Sequence, residues 1–170
     1  MTNKKPQLTR DIILISILLL IVLVVFVLYY ALKEEGDLAI VSYDNEVLFE
    51  VNLANGELMA LTSVFEAMEM PVIKNDNLIV DGQIYTGLDE GKGVVVYKSQ
   101  LEQKDYYFVE GNLGYVKMYY SYTTNKMRVT EETSPYNTCS KQGESNDVPI
   151  VCLPNYVTIK FTSNEADDII

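Results

Sequence analysis

The 170-residue chain has no histidine, no tryptophan and only two cysteines, Cys139 and Cys152. Without histidine, the usual general base near neutral pH is missing, and so is the commonest zinc ligand. Two cysteines alone cannot complete a tetrahedral centre of four thiolates, or one of two thiolates and two imidazoles. No glycine-rich phosphate loop and no Gly-x-Ser-x-Gly elbow occurs, and "EGKG" and "EGNLG" read as turn material. Carboxylates are plentiful, yet spacing singles out no acid pair, Asp89 and Glu90 included, and no calcium-loop signature is present. The expectation is a non-catalytic protein with no cofactor and no metal.

Basic residues are also scarce. Three of the 13 Lys and Arg and one of the 24 Asp and Glu precede residue 33, which leaves 10 against 23 beyond it, a net of −13. Nucleic acid, which needs clustered Lys and Arg to displace counterions, is an unsuitable partner. An anionic membrane surface is equally unsuitable for this part of the chain.

What the chain does have is one long apolar run. "IILISILLLIVLVVFVLYYAL", Ile12 to Leu32, is 21 residues without charge, Gly or Pro. About 20 such residues in a helix cross a hydrocarbon core of about 30 Å. A cleaved signal peptide shares the basic start, but its apolar region is shorter, and no small-x-small cleavage site follows Tyr29-Tyr30. The reading is a retained single-pass anchor. Lys4, Lys5 and Arg10 precede it, while Glu34, Glu35 and Asp37 follow, so the positive-inside rule places the N-terminus in the cytoplasm. Tyr29 and Tyr30 suit the outer interface. The expected organisation is a cytoplasmic tail (1–11), a transmembrane helix (12–32), an extracytoplasmic domain (33–162) and a fraying acidic tail (163–170) in the cell membrane.

Beyond the anchor, short β-type segments alternate with turn residues. "LAIVSYDNEVLFEV" is a hairpin about Asp44-Asn45, and "DNLIVDGQIYTG" repeats the form about Asp81-Gly82. "KGVVVYK" and "KDYYFVE" are single strands, and "LGYVKMYYSYTTNKMRVT" is two strands meeting near Thr124-Asn125. "VPIVC" and "YVTIKF" flank Leu153-Pro154-Asn155, where proline breaks the ladder. In "GELMALTSVFEAMEMP" the spacing of Leu58, Leu61, Val64, Phe65 and Met68 predicts one short amphipathic helix closed by Pro71. The fold class is therefore mainly β: a small barrel- or sandwich-like domain carrying a short helix.

Thirteen tyrosines suit half-buried strands. In "KMYYSYTT" Met118, Tyr120 and Tyr122 point to one face and Lys117, Tyr119 and Ser121 to the other. One row should face outward, which makes Tyr119, or Tyr120 with Tyr122, a candidate stacking surface for a flavin, quinone or sugar ring.

Placement outside the cytoplasm permits a Cys139–Cys152 disulfide closing a loop of about 14 residues, worth about 3 kcal/mol in the chain-entropy picture. Two free buried thiols are the alternative.

The stretch "YYFVEGNLGYVKMYY…NKMRVTEETSPYNTCSKQG…VPIVCLPNYVTIKF" resembles the NusG domain II-like proteins of Gram-positive bacteria. The residues that carry the likeness are Arg128, Val129, Pro135, Cys139, Gly143 and the run Ile150, Val151, Cys152, Leu153, Pro154 and Asn155. It covers roughly residues 105–162, with the anchor and the first hairpin (38–53). Ser134 stands where the family's first cysteine would be, and residues 54–104 read as an insertion. The resemblance implies one N-terminal membrane helix, a compact β-rich extracytoplasmic domain, and an accessory role beside membrane transporters or flavin- or quinone-linked electron-transfer components. A thiol-redox protein using Cys139 and Cys152, and an envelope- or glycan-binding domain, are the competing expectations.

Overall fold

The computed structural model describes residues 5–31 and 36–163. The chain divides into two units, residues 1–34 and 35–170. The first is helix α1 (Lys5–Ala31), within which Arg10–Leu28 is long and apolar enough to cross a membrane. Its large apolar side chains from Ile12 to Leu28 are exposed. A helix apolar on every face has no stable home in water, so α1 is either a membrane span or a signal sequence. The side chains of Tyr29 and Tyr30 and the tail 164–170 lie outside the described residues.

The described residues of the second unit form thirteen strands in three sheets. The first sheet runs β12-β13-β1-β2-β3 and is antiparallel throughout. It contains β1 (Leu38–Tyr43), β2 (Glu46–Asn52), β3 (Leu58–Ala60), β12 (Ile150–Cys152) and β13 (Val157–Thr162). The second runs β11-β10-β9-β8-β4, with β4 (Ser63–Glu66), β8 (Gly93–Ser99), β9 (Lys104–Gly111), β10 (Gly114–Ser121) and β11 (Lys126–Glu132). Its β4 edge is parallel to β8 and the other pairs are antiparallel. A third, small sheet holds β5 (Val72–Lys74), β6 (Asn77–Val80) and β7 (Gln83–Ile84). Among the described residues no barrel closes.

Turn chemistry explains the hairpins. Asp44 and Asn45 have φ of 45° and 69°, Asn75 and Asp76 have 49° and 57°, and Asp81 and Gly82 have 49° and 79°. Two successive positive φ values make a turn whose twist matches the flanking strands, and Asn, Asp and Gly tolerate it best. Of these turns, Asp44-Asn45 and Asp81-Gly82 fall where the sequence places them.

The second sheet is covered on both faces. One face carries Val94, Val96, Tyr107, Val109, Val116, Met118 and Tyr120, which form the main core with Val41, Phe49, Val51, Val157 and Ile159 of the first sheet. The other carries Val95, Tyr106, Phe108, Tyr115 and Tyr119, which pack with Leu78, Val80 and Leu88 from the small-sheet segment. Strands buried on both sides read as continuous apolar runs, which is why "GVVVY" and "DYYFV" lack polar alternation. A bulge between Val41 and Ser42 opposes an extra residue, Leu48, so Leu48 and Phe49 are both wholly buried.

One expectation is corrected. No helix forms in residues 56–71; the stretch supplies β3 and β4. Leu61, Val64, Phe65 and Met68, expected on a buried helical face, are exposed, while Leu58 alone packs on the core. Hydrogen-bond partners offered by β2 and β8 outweigh a local periodicity weakened by Thr62, Ser63 and Val64, all poor helix formers. Residues 54–104, read in the sequence as an insertion, contribute β3 to the first sheet and β4 and β8 to the second.

Gly56 sits where the β2–β3 connection passes under two rings. Its φ is +74°, and a Cβ there would lie 2.5 Å from the Tyr122 ring and 2.7 Å from that of Tyr120. Gly56→Ala is expected to cost about 1–3 kcal/mol in urea unfolding, from backbone strain and overpacking together.

Candidate functional site

The motif residues gather where β11, the 133–149 loop, β12 and the turn after it meet. Cys139 opens a short 3-10 turn (Cys139–Lys141), and Cys152 ends β12. The two are joined as a disulfide across 13 residues of sequence, with Cα atoms 5.3 Å apart. Both are essentially without solvent exposure and belong to the main core.

Beside the disulfide lies Glu132, a buried carboxylate that sequence reasoning missed. Its Oε1 accepts the Cys139 N–H at 3.0 Å, and Oε2 accepts Asn155 Nδ2 at 3.5 Å. Oε2 also lies 2.6 Å from Cys139 Sγ, which as a disulfide sulfur has no proton to donate. Asn155 is wholly buried and ties the knot to the β9–β10 turn. Its Oδ1 accepts the Leu113 N–H at 3.0 Å and its Nδ2 also donates to the Thr133 carbonyl at 3.3 Å. Gly111 allows this approach, since a Cβ there would fall 2.6 Å from the Asn155 carbonyl oxygen. Glu132 and the two sulfurs lie within 4.8 Å of one another, a spacing suited to metal ligation. Sulfurs bonded to each other are not thiolates, so the oxidised knot does not offer that ligand set.

The remaining motif residues have structural surroundings. Val129 and Ile150 point into the core, Val151 and Leu153 face outward, and Pro135 lies in the exposed loop. Gly143 takes a φ of +85° at a turn with open space around it. Arg128, on β11, lies close enough to the Tyr119 hydroxyl to oppose the rise in its pKa caused by burial and by Glu144.

The tyrosine surface expected on β10 does not form, because both faces of β10 are covered. Tyr120 is wholly buried and donates to the Leu53 carbonyl at 2.8 Å. Tyr119 is buried beneath the Lys104 ammonium, 4.3 Å from its ring centroid, and donates to Glu144 at 2.7 Å. Of the three, only Tyr122, 42% exposed, shows its ring to solvent. Its hydroxyl donates to Asp105 Oδ2 at 2.9 Å, and burial together with that bond pushes the phenol up to about 12. Burial likewise holds the Asp105 carboxyl above its ordinary value, with the Tyr122 bond pulling the other way. A buried acid among strand tyrosines has no motif to announce it; the apolar flank of "KDYYFV" is the only sign that Asp105 is carried inward.

Comparison with family models, with curated proteins and with solved structures returned no match. The likeness to the NusG domain II-like proteins therefore rests on the quoted residues alone.

Two outcomes follow. Replacing both cysteines, Cys139→Ala with Cys152→Ala, should lower unfolding free energy by about 3 kcal/mol in urea melts, with a two-hydrogen mass gain on reduction of the parent chain. For Asp105, the raised folded pKa means the native state holds the proton more tightly than the unfolded chain. Its stabilising contribution is present at low pH and is lost as pH rises from 3.8 through the folded value. Urea melts should therefore show the stability of the parent chain falling relative to Asp105→Asn as the pH is raised above about 4.

Proposed function

We propose that this chain is a non-catalytic, single-pass membrane protein whose β-domain lies outside the cytoplasm and binds a partner protein there. The observation that carries the reading is the free edge of β4. Among the described residues that strand pairs with β8 on one side only, and Met59, Leu61, Val64, Phe65, Met68 and Ile84 are all exposed. Such a cluster is unusual on a domain otherwise rich in carboxylates, and an exposed apolar edge strand is a template for pairing with another chain. The basic residues before the apolar run, Lys4, Lys5 and Arg10, and the acidic ones after it support the orientation. The NusG domain II-like resemblance supports a transporter or a flavin- or quinone-linked complex as the setting. Neither competing reading gains support: the sulfurs are shielded from exchange, and Tyr119 and Tyr120 are not available for stacking.

The test is photo-crosslinking of the full-length chain in its own membrane. A photoreactive residue at Phe65 should yield one discrete adduct that a probe at exposed Lys160 does not, and Leu61→Glu with Val64→Glu should abolish it. Added protease should remove the β-domain from intact spheroplasts. Crosslinking equal at both positions, or protection of the domain, overturns the reading.

A further inference from the structure

The main core contains one hydroxyl that stands apart. Tyr106, Tyr119, Tyr120 and Tyr122 all donate to a carboxylate or a carbonyl. Tyr107 is wholly buried, its ring packed on Phe49 at 5.1 Å between centroids, and its hydroxyl has no hydrogen-bond partner among the described residues. A buried hydroxyl left unpaired costs about 1–3 kcal/mol, so such a group calls for an occupant beside it.

Tyr107 lines a pocket of about 380 Å³ between the β3 end of the first sheet and the β4–β8–β9 side of the second. The register builds its wall. Glu66 of β4 lies beside Val96 of β8, which lies beside Tyr107 of β9. One step along, Lys98 lies beside Asp105, which shares the Tyr107 face of β9. Glu57 and Leu58 close the pocket from the opposite sheet, and the half-exposed Tyr122 forms one side.

We propose that this pocket binds a primary alkylammonium ion, with the ammonium between Asp105 and the Tyr107 hydroxyl and its methylenes along Val96, Leu58 and the Tyr122 ring. Charge selects a cation: Asp105, Glu57 and Glu66 outnumber the single ammonium of Lys98, which already faces Glu66 at 3.6 Å. An ammonium brings three donors and no acceptor, which complements carboxylate oxygens and the lone pairs of an unpaired hydroxyl. It would also add a second positive charge beside the buried Asp105 carboxylate, which Lys98 alone now faces from the neighbouring strand, and Tyr122 offers a ring face for cation–π contact. A hard divalent ion fits less well. It requires six to eight oxygens at about 2.3–2.6 Å, and of the three carboxylates in this wall Glu66 is already paired with Lys98. The ammonium could belong to a free amine or to a lysine side chain, and the probes below separate the two.

Full-length protein in detergent micelles is titrated calorimetrically with 1,4-diaminobutane, with N-acetyl-lysine methylamide and with calcium chloride. The expected result is saturable binding of at least one amine at about 1 mM or tighter, weakened about tenfold or more by Tyr107→Phe and by Asp105→Asn. Binding of diaminobutane alone assigns a free amine; binding of the lysine amide alone assigns a side chain. Tyr107→Phe removes only the unpaired hydroxyl, and asparagine still accepts the Tyr122 bond, so thermal midpoints at or above that of the parent chain show that both variants fold. No amine binding, amine binding indifferent to both substitutions, or preference for calcium over both amines overturns the proposal. In those cases water, or a metal ion, is the partner of Tyr107.

Discussion

The constraint on which the rest of the β-domain depends is that its central sheet must be buried twice. Strands β8, β9 and β10 carry apolar side chains on both faces, Val94 and Val96 against Val95, Tyr107 and Val109 against Tyr106 and Phe108. One partner sheet could shelter only half of that area. The first sheet covers one face and the β5–β7 segment, with Leu78, Val80 and Leu88, covers the other. At roughly 25 cal/mol per Å² of apolar surface, leaving either face wet would forfeit more than a domain's net stability. Removing residues 54–104 would therefore expose the second face and also delete β8 itself.

The edges of that arrangement are handled differently at its two sides. At the β11–β12 side the sheets are joined by the 133–149 loop, the disulfide and the Glu132–Asn155 bonds, with Met127 and Ser145 bridging the gap. This side is covalently closed. At the β3–β4 side, Leu61 and Thr62 carry the chain from one sheet to the other, and among the described residues no disulfide closes the mouth. The free β4 edge, the exposed apolar residues and the pocket beneath Tyr107 all lie at this side. The recognition surfaces proposed for this domain thus lie on the side that no disulfide closes.

Legibility in the sequence varied with the range of the forces involved. Strands such as Gly93–Ser99 and Lys104–Gly111 and the turns at Asp44-Asn45 and Asp81-Gly82 follow from local composition and backbone sterics. The stretch from Leu58 to Met68 did not, because its apolar spacing is helical while its hydrogen bonds go to distant strands. The same limit applies to Tyr119 and Tyr120. Alternation separates the two rows correctly but does not reveal that a third sheet segment covers the second row.

By itself the sequence determined the apolar helix, the β-rich character, the acidic surface, the lack of histidine chemistry and the possibility of a Cys139–Cys152 bridge. Each follows from residue type, spacing or charge count, which need no partner elsewhere in the chain. Only the tertiary structure decided that Glu132 and Asn155 meet beside the disulfide, that Tyr107 is buried with its hydroxyl unpaired, and that β4 ends as a free apolar edge. Those outcomes depend on which strands pair and which face is covered, and contacts across tens of residues are set by the whole chain's packing rather than by any local pattern.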